Sequence, residues 1–151
     1  MPAGSLRTGL RHELRYLVPS GRTVPHLLPE APEFAPMPEV LATGYLVGIV
    51  EWACMLLVKP YLDWPEEQTV GVHVDLSHQA ATPPGLTVAV AVELVSVQGR
   101  RLVFSVGADD GVEAVAQGRH ERAVIRTARF AARAADKATA GAATRPLPEP
   151  E

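Results

Sequence analysis

Hydrophobic and polar positions change rhythm once along this chain, near residue 69. Before that point the dominant feature is Gly44–Val58, GYLVGIVEWACMLLV, apolar on every face apart from Glu51. A helix that is hydrophobic all round is a buried helix. Its entrance falls between Pro38 and Thr43, either of which suits the first turn, and Lys59-Pro60 closes it with a cation at the C-terminal dipole and then a breaker. From Thr69 onward the period is two. Val70–His78, Leu86–Val97, Arg101–Asp109 and Val112–Ile125 read as strands, separated by Pro83-Pro84-Gly85, Gln98-Gly99 and Asp110-Gly111. The last three strands predict an antiparallel meander. Upstream, Arg11–Val18 reads as a first strand, Pro19–Pro38 as a proline-rich lid or loop with short apolar anchors, and Leu62–Gln68 as a polar connector.

One all-round hydrophobic helix and one long antiparallel sheet both need burial, and each offers the other its main apolar surface. The expected class is therefore α+β, with the sheet wrapped around one long central helix, the arrangement called the hot-dog fold. Such a sheet exposes an edge that a second copy usually closes, so a homodimer is expected. After Arg126 a weak helical pattern, ARFAARAADKA, fades into alanine, glycine, proline and glutamate. These patterns predict a single domain over 1–137 and a disordered tail over 138–151.

Composition narrows the function classes. A chain of 151 residues, 47% hydrophobic and 21% charged, is enough for one packed domain. Its formal charge of −3, with no basic run beyond pairs such as Arg100-Arg101, gives no electrostatic footprint for nucleic acid. The single cysteine, Cys54, rules out an internal disulfide and a cysteine-based zinc site and fits a reduced intracellular home. The start, MPAGSLRTGLRHEL, lacks the apolar core of a signal peptide, and Gly44–Val58 is short for a membrane span and carries Glu51. A cytoplasmic location is expected.

Glu51 is the first candidate for chemistry, because a desolvated carboxylate must shift its pKa or acquire partners, and such groups cluster at active sites. It is either a base or nucleophile, which Trp52 would help to dry, or a brace for neighbouring backbone. Alternation places Val72, Val74, Leu76 and His78 on the face toward the helix, so His78 is a satisfied core residue or an acid–base group at a strand end. His73, Asp75 and Ser77 imitate a triad by composition only, since neighbours at i and i+2 on a strand stand about 7 Å apart and point outward in parallel. Thr43 and the Gly44-x-x-x-Gly48 spacing sit at the helix entrance, where a Thr cap with tight packing and a ligand approach to free N–H groups are both available. Within one helix Thr43 and Glu51 are about 12 Å apart, so a small acyl group touches both only through a bent entrance or a site built from two chains. In Val112–Ile125, His120 and Arg122 share the inward parity; Arg122 either pairs with a core carboxylate or fixes a ligand carbonyl or phosphate. Cys54 has no local activator and reads as structural, while Phe34 and Met37 are lid packing or the cover of a small apolar pocket.

The segments PEFAPMPEVLATGYLVGIVEWAC, HQAATPPGLTV and GRHERAVI strongly resemble the fluoroacetyl-CoA thioesterases, a branch of the hot-dog thioesterases, over about Val18 to Ile125. The resemblance implies hydrolysis of a short acyl-CoA by a homodimer that uses neither metal nor redox cofactor. Carried over by position, it implies that Thr43, Glu51 and His78 are the catalytic trio, Gly71 and Arg122 lie around the acyl group, and Phe34 is a lid aromatic. Met37 stands where the fluoroacetyl-specific enzyme has a second lid phenylalanine, a flexible thioether for a rigid ring. The rival classes are a hot-dog hydratase or dehydratase acting on an enoyl-CoA, and a non-catalytic acyl-CoA binding module.

Overall fold

The computed structural model describes residues 5–142 and 150. Among them, five strands form one sheet: β1 (Arg11–Leu17), β2 (Glu67–His78), β3 (Thr87–Gln98), β4 (Arg101–Asp109) and β5 (Ala114–Arg126). Their order across the sheet is β1-β3-β4-β5-β2, and each neighbouring pair is antiparallel. The helices are α1 (Thr43–Val58), which packs on β1, β2 and β3, and α2 (Thr127–Ala142), which follows β5. The α+β hot-dog architecture expected from the pattern is the one observed.

Period explains the packing. On α1 the buried residues are Leu46, Ile49, Val50, Ala53, Cys54, Leu57 and Val58, a stripe recurring every three or four positions. It meets the inward residues Val88, Val90, Val92 and Leu94 of β3 and Leu102, Phe104, Val106 and Ala108 of β4 in one core. With the 3-10 turn that follows, helical backbone runs from Thr43 to Tyr61, 19 residues, longer than the sequence reading allowed and enough by length and composition to cross a bilayer. In this fold its apolar stripe is spent on the sheet instead.

Three local differences matter for the site. The first is a bulge in β2 between Gly71 and His73, which alternation alone did not anticipate. Gly71 pairs with Arg122 before it, and Val74, Leu76 and His78 pair with His120, Gly118 and Ala116 after it, so odd and even positions share the inner face. Gly118 permits the close approach of β2 and β5, because a Cβ there would strike the Asp75 carbonyl. The second is Val112, expected inside a strand but found exposed between β4 and β5, where Asp110 turns the chain by accepting hydrogen bonds from the Val112 and Glu113 N–H groups. The third is the tail: the boundary expected at residue 138 falls inside α2, and residues 143–149 and 151 lie outside the described residues.

Candidate active site

The α1 entrance sets the first half of the site. Ala42 is the N-cap residue and Thr43 already lies inside the helix, without a side-chain cap. Its hydroxyl is therefore free for another partner, and Thr43 Oγ1 lies 2.8 Å from His78 Nδ1 at the end of β2. The Thr cap offered by the sequence is thus not what forms. Two buried contacts position this pair: the Leu41 N–H donates to the Thr82 carbonyl at 2.8 Å, and the Thr82 hydroxyl donates to Asp110 at 2.9 Å. Together they tie the helix entrance, the loop after His78 and the β4–β5 turn into one frame. A cleft of about 230 Å³ lies here, lined in part by Val24, Leu41, Thr43, His78 and Ala80.

His78 is poised for proton handling. Burial pushes its imidazole below the ordinary value, against a smaller opposing pull from the Ala80 backbone. Nε2 is buried and has no hydrogen-bond partner among the described residues. An imidazole with one nitrogen held by a hydroxyl and the other uncommitted can pass a proton through the free end.

The second half lies further along α1. Glu51 Oε1 accepts from Arg122 Nη1 at 3.1 Å. Arg122, 3% exposed, also donates from Nε to the Thr69 hydroxyl and from Nη2 to the Thr69 carbonyl, both at 2.8 Å. Of the two roles open to Arg122, pairing with a carboxylate is the one its geometry fills. Gly71 faces the same spot: a Cβ there would stand 2.5 Å from Glu51 Oε1. Glycine is what makes room for the carboxylate.

The structure corrects one premise. Glu51 is not sealed in: its side chain is 40% exposed in the single chain. Trp52 does not dry it either, being itself exposed and lining a different cleft with Tyr16, Arg22 and Tyr45. The helix looked buried on every face because its sequence is apolar throughout, yet only the stripe toward the sheet is covered. Gly44 packs closely on Leu27, whereas Gly48 faces open space, so the glycine pair serves helix packing at one end only.

The lid is a self-bonded loop. The Thr23–Leu41 bridge and the Val24 N–H to Val40 carbonyl bond close its base, and successive turns such as Ala31 to Leu28 and Met37 to Phe34 fold its body. Phe34 is half-buried and Met37 is exposed. Burial pushes the Cys54 thiol up to about 12, which keeps it protonated and structural, as its sequence setting suggests. Among the described residues no three His, Cys, Asp or Glu side chains gather as a metal site would need.

Comparison with known proteins shows the family. The family described as FlK, fluoroacetyl-CoA-specific thioesterase, matches residues 28–128, which take in the later part of the lid, α1 and every strand except β1. The chain belongs to that family. It is a thioester hydrolase of the hot-dog class, as its motifs implied. The fluoroacetyl-CoA thioesterase of Streptantibioticus cattleyicolor is 51% identical over 136 residues, covering 90% of this chain and 97% of that one. A solved structure of a phenylalanine-to-alanine variant of FlK in complex with fluoroacetate and CoA is 52% identical with a TM-score of 0.80, covering 83% of this chain and 99% of that one. A Thermus thermophilus thioesterase superfamily member shares the fold at a TM-score of 0.80 and 24% identity, covering 91% of this chain and 97% of that one.

Within this thioesterase, the expected site residues other than the lid pair Phe34 and Met37 fall into two groups. Thr43 and His78 meet at the helix entrance, whereas Glu51, Gly71 and Arg122 meet mid-helix. Two contributors had not been singled out. Thr69 holds Arg122, and His120, fully buried, places Nε2 3.1 Å from Arg122 Nη1. The inward parity shared by His120 and Arg122 was the one sequence signal for the latter.

Proposed function

We propose that the protein hydrolyses a short acyl-CoA, with fluoroacetyl-CoA as the first substrate to test, and does so as a homodimer whose two chains each complete the other's site. The observation that carries this reading is the split itself. Along α1 Thr43 and Glu51 are about 12 Å apart, and along β2 Gly71 and His78 are separated by roughly 20 Å. A small acyl group does not span either distance.

A two-fold axis removes the split. β2 is a 12-residue edge strand with one side unpaired, and Val72 and Val74 on it are 44% and 42% exposed beside the half-open Glu51. Antiparallel pairing of β2 with its copy about an axis near Val74 and Asp75 brings Gly71, and with it Glu51, opposite the partner's His78 and Thr43. The same pairing covers the exposed valines and the open edge.

The chemistry follows from what each half offers. Arg122 holds Glu51 through Oε1, leaving Oε2 to act. Oε2 attacks the thioester carbonyl to give an anhydride that water then opens, or takes the proton of a water that attacks directly; both routes yield the free acid and CoA. His78 Nε2 delivers a proton to the departing thiolate, whose ordinary pKa near 8.5, by analogy with cysteine, makes this a modest task. Thr43 fixes the imidazole through Nδ1, and backbone N–H groups near the helix entrance or near Gly71 stabilise the developing oxyanion. The lid with Phe34 and Met37 covers the acyl end, and the flexible Met37 thioether widens the range of small acyl groups the pocket accepts.

The test is free-thiol release from fluoroacetyl-CoA, acetyl-CoA and other short acyl-CoAs by the wild type and Glu51→Gln. The expected result is thiol release by the wild type and a loss of about 10²-fold or more in the variant. Enoyl-CoA turnover without thiol release would instead favour a hydratase, and acyl-CoA binding unchanged by Glu51→Gln with no hydrolysis in either protein would favour a binding module.

A further inference from the structure

His120 is fully buried on β5, lies against Gly71 and reaches the polar groups of the site through Arg122. Its Nδ1 lies 2.9 Å from the His73 carbonyl, next to the β2 bulge, and its Nε2 lies 3.1 Å from Arg122 Nη1. A carbonyl can only accept a hydrogen bond and a guanidinium can only donate one. The proton therefore sits on Nδ1 and the lone pair on Nε2, which makes this ring neutral and fixes its tautomer.

The guanidinium explains why an acceptor is needed. Arg122 Nε and Nη2 each donate to Thr69, and the two protons of Nη1 go to Glu51 and to His120 Nε2. Nη1 thus bridges carboxylate and imidazole. If Nε2 gained a proton, two donors and two positive charges would face each other across that contact.

We propose that His120 is a positioning residue of the thioesterase, a neutral imidazole that aims Arg122 Nη1 at Glu51 and whose protonation releases that carboxylate from its working position. This rests on the reading of Glu51 as the reacting carboxylate. The surroundings favour the neutral ring. Burial lowers its pKa most and Arg122 on the same strand adds to this, while the His73 carbonyl on β2, Glu51 on α1 and Glu121 on β5 pull the other way. Phe104, its register partner on β4, is apolar and fully buried.

Ring-15N histidine NMR at neutral pH tests the tautomer, with the His120 signals identified by their loss in His120→Gln. The expected spectrum shows a protonated Nδ1 and an unprotonated Nε2. Thiol release tests the role. His120→Phe, which keeps volume and removes the acceptor, lowers kcat by about 10²-fold with KM nearly unchanged, the scale expected of a small misplacement of a reacting group. His120→Gln, which keeps an acceptor oxygen but cannot gain charge, restores kcat to within about tenfold of wild type. It also extends activity to lower pH than the wild type, a change that His78, present in both proteins, cannot produce. An Nε2-protonated or charged ring at neutral pH overturns the proposal, as does a folded Phe variant with wild-type kcat. Should the Phe variant fail to fold, the Gln pH profile and the tautomer decide. Thiol release that survives Glu51→Gln would remove the carboxylate reading and the proposal with it, whereas an inactive Glu51→Gln beside a wrong tautomer would remove the role of His120 alone.

Discussion

The two ends of the site are built on opposite principles. Around Glu51 nearly every polar atom is committed: Arg122 makes four side-chain hydrogen bonds, and His120 uses both ring nitrogens. Around His78 one side-chain hydrogen bond, to Thr43, and the pull of the Ala80 backbone hold the ring, and Nε2 is buried with no hydrogen-bond partner among the described residues. The saturated cluster holds a charge in a fixed place, while the sparse pair keeps a nitrogen available to gain and lose a proton. In the proposed mechanism the carboxylate must aim and the imidazole must exchange a proton, and these tasks need different surroundings.

The largest way to break this contrast is Gly71→Ala. The added Cβ would stand 2.5 Å from Glu51 Oε1 and 3.3 Å from His120 Cε1, so the flexible carboxylate is the part that yields. Thiol release is expected to fall by about 10²-fold or more, since a misplacement of about 1 Å has that scale of effect. The fold is retained, which circular dichroism checks.

A smaller effect follows from Thr43→Val, which removes the hydroxyl on His78 Nδ1 and keeps the branched shape. Loss of one neutral hydrogen bond of about 1 kcal/mol, acting through the orientation of the imidazole, predicts a fall in kcat of roughly 5-fold. Thr43→Ser is expected to restore most of it, because the hydroxyl returns. Steady-state kinetics on both variants measures the difference.

The smallest effect is on stability. Burial depresses the pKa of both His78 and His120 below the ordinary imidazole value. Below that value the unfolded chain takes up protons that the folded chain refuses, so these histidines contribute stability above the ordinary pKa that is lost as pH falls through the depressed one. Thermal unfolding between pH 8 and pH 5 is expected to show Tm falling by about 2–5 °C over the acidic half. His120→Gln flattens that slope more than His78→Gln, because His120 is fully buried and His78 only half so.

Much of the fold was legible because its two periods do not overlap. The apolar run predicted for Gly44–Val58 is α1 to within one residue, and Arg101–Asp109 is β4 as read. Parity also placed His120 and Arg122 inward. What escaped was any feature set by contacts distant in sequence. The bulge after Gly71 depends on register against β5, so alternation could not show that Gly71 and His78 share a face. The Thr43 hydroxyl looked like a cap because its partner lies 35 positions away. The dryness ascribed to Glu51 assumed that one chain covers every face of α1. The half-open carboxylate and the exposed Val72 and Val74 leave that part of the chain uncovered.

The shared dimeric site is tested most directly by complementation. Glu51→Gln and His78→Ala chains, each inactive alone, are co-expressed with different tags and assayed for thiol release. A site completed by two chains gives each mixed dimer one intact site, so random pairing restores about one quarter of wild-type activity, and tandem-tag purified mixed dimers restore about half. A purified mixed dimer as inactive as either parent would contradict the account, because it would mean that Glu51 and His78 act within one chain.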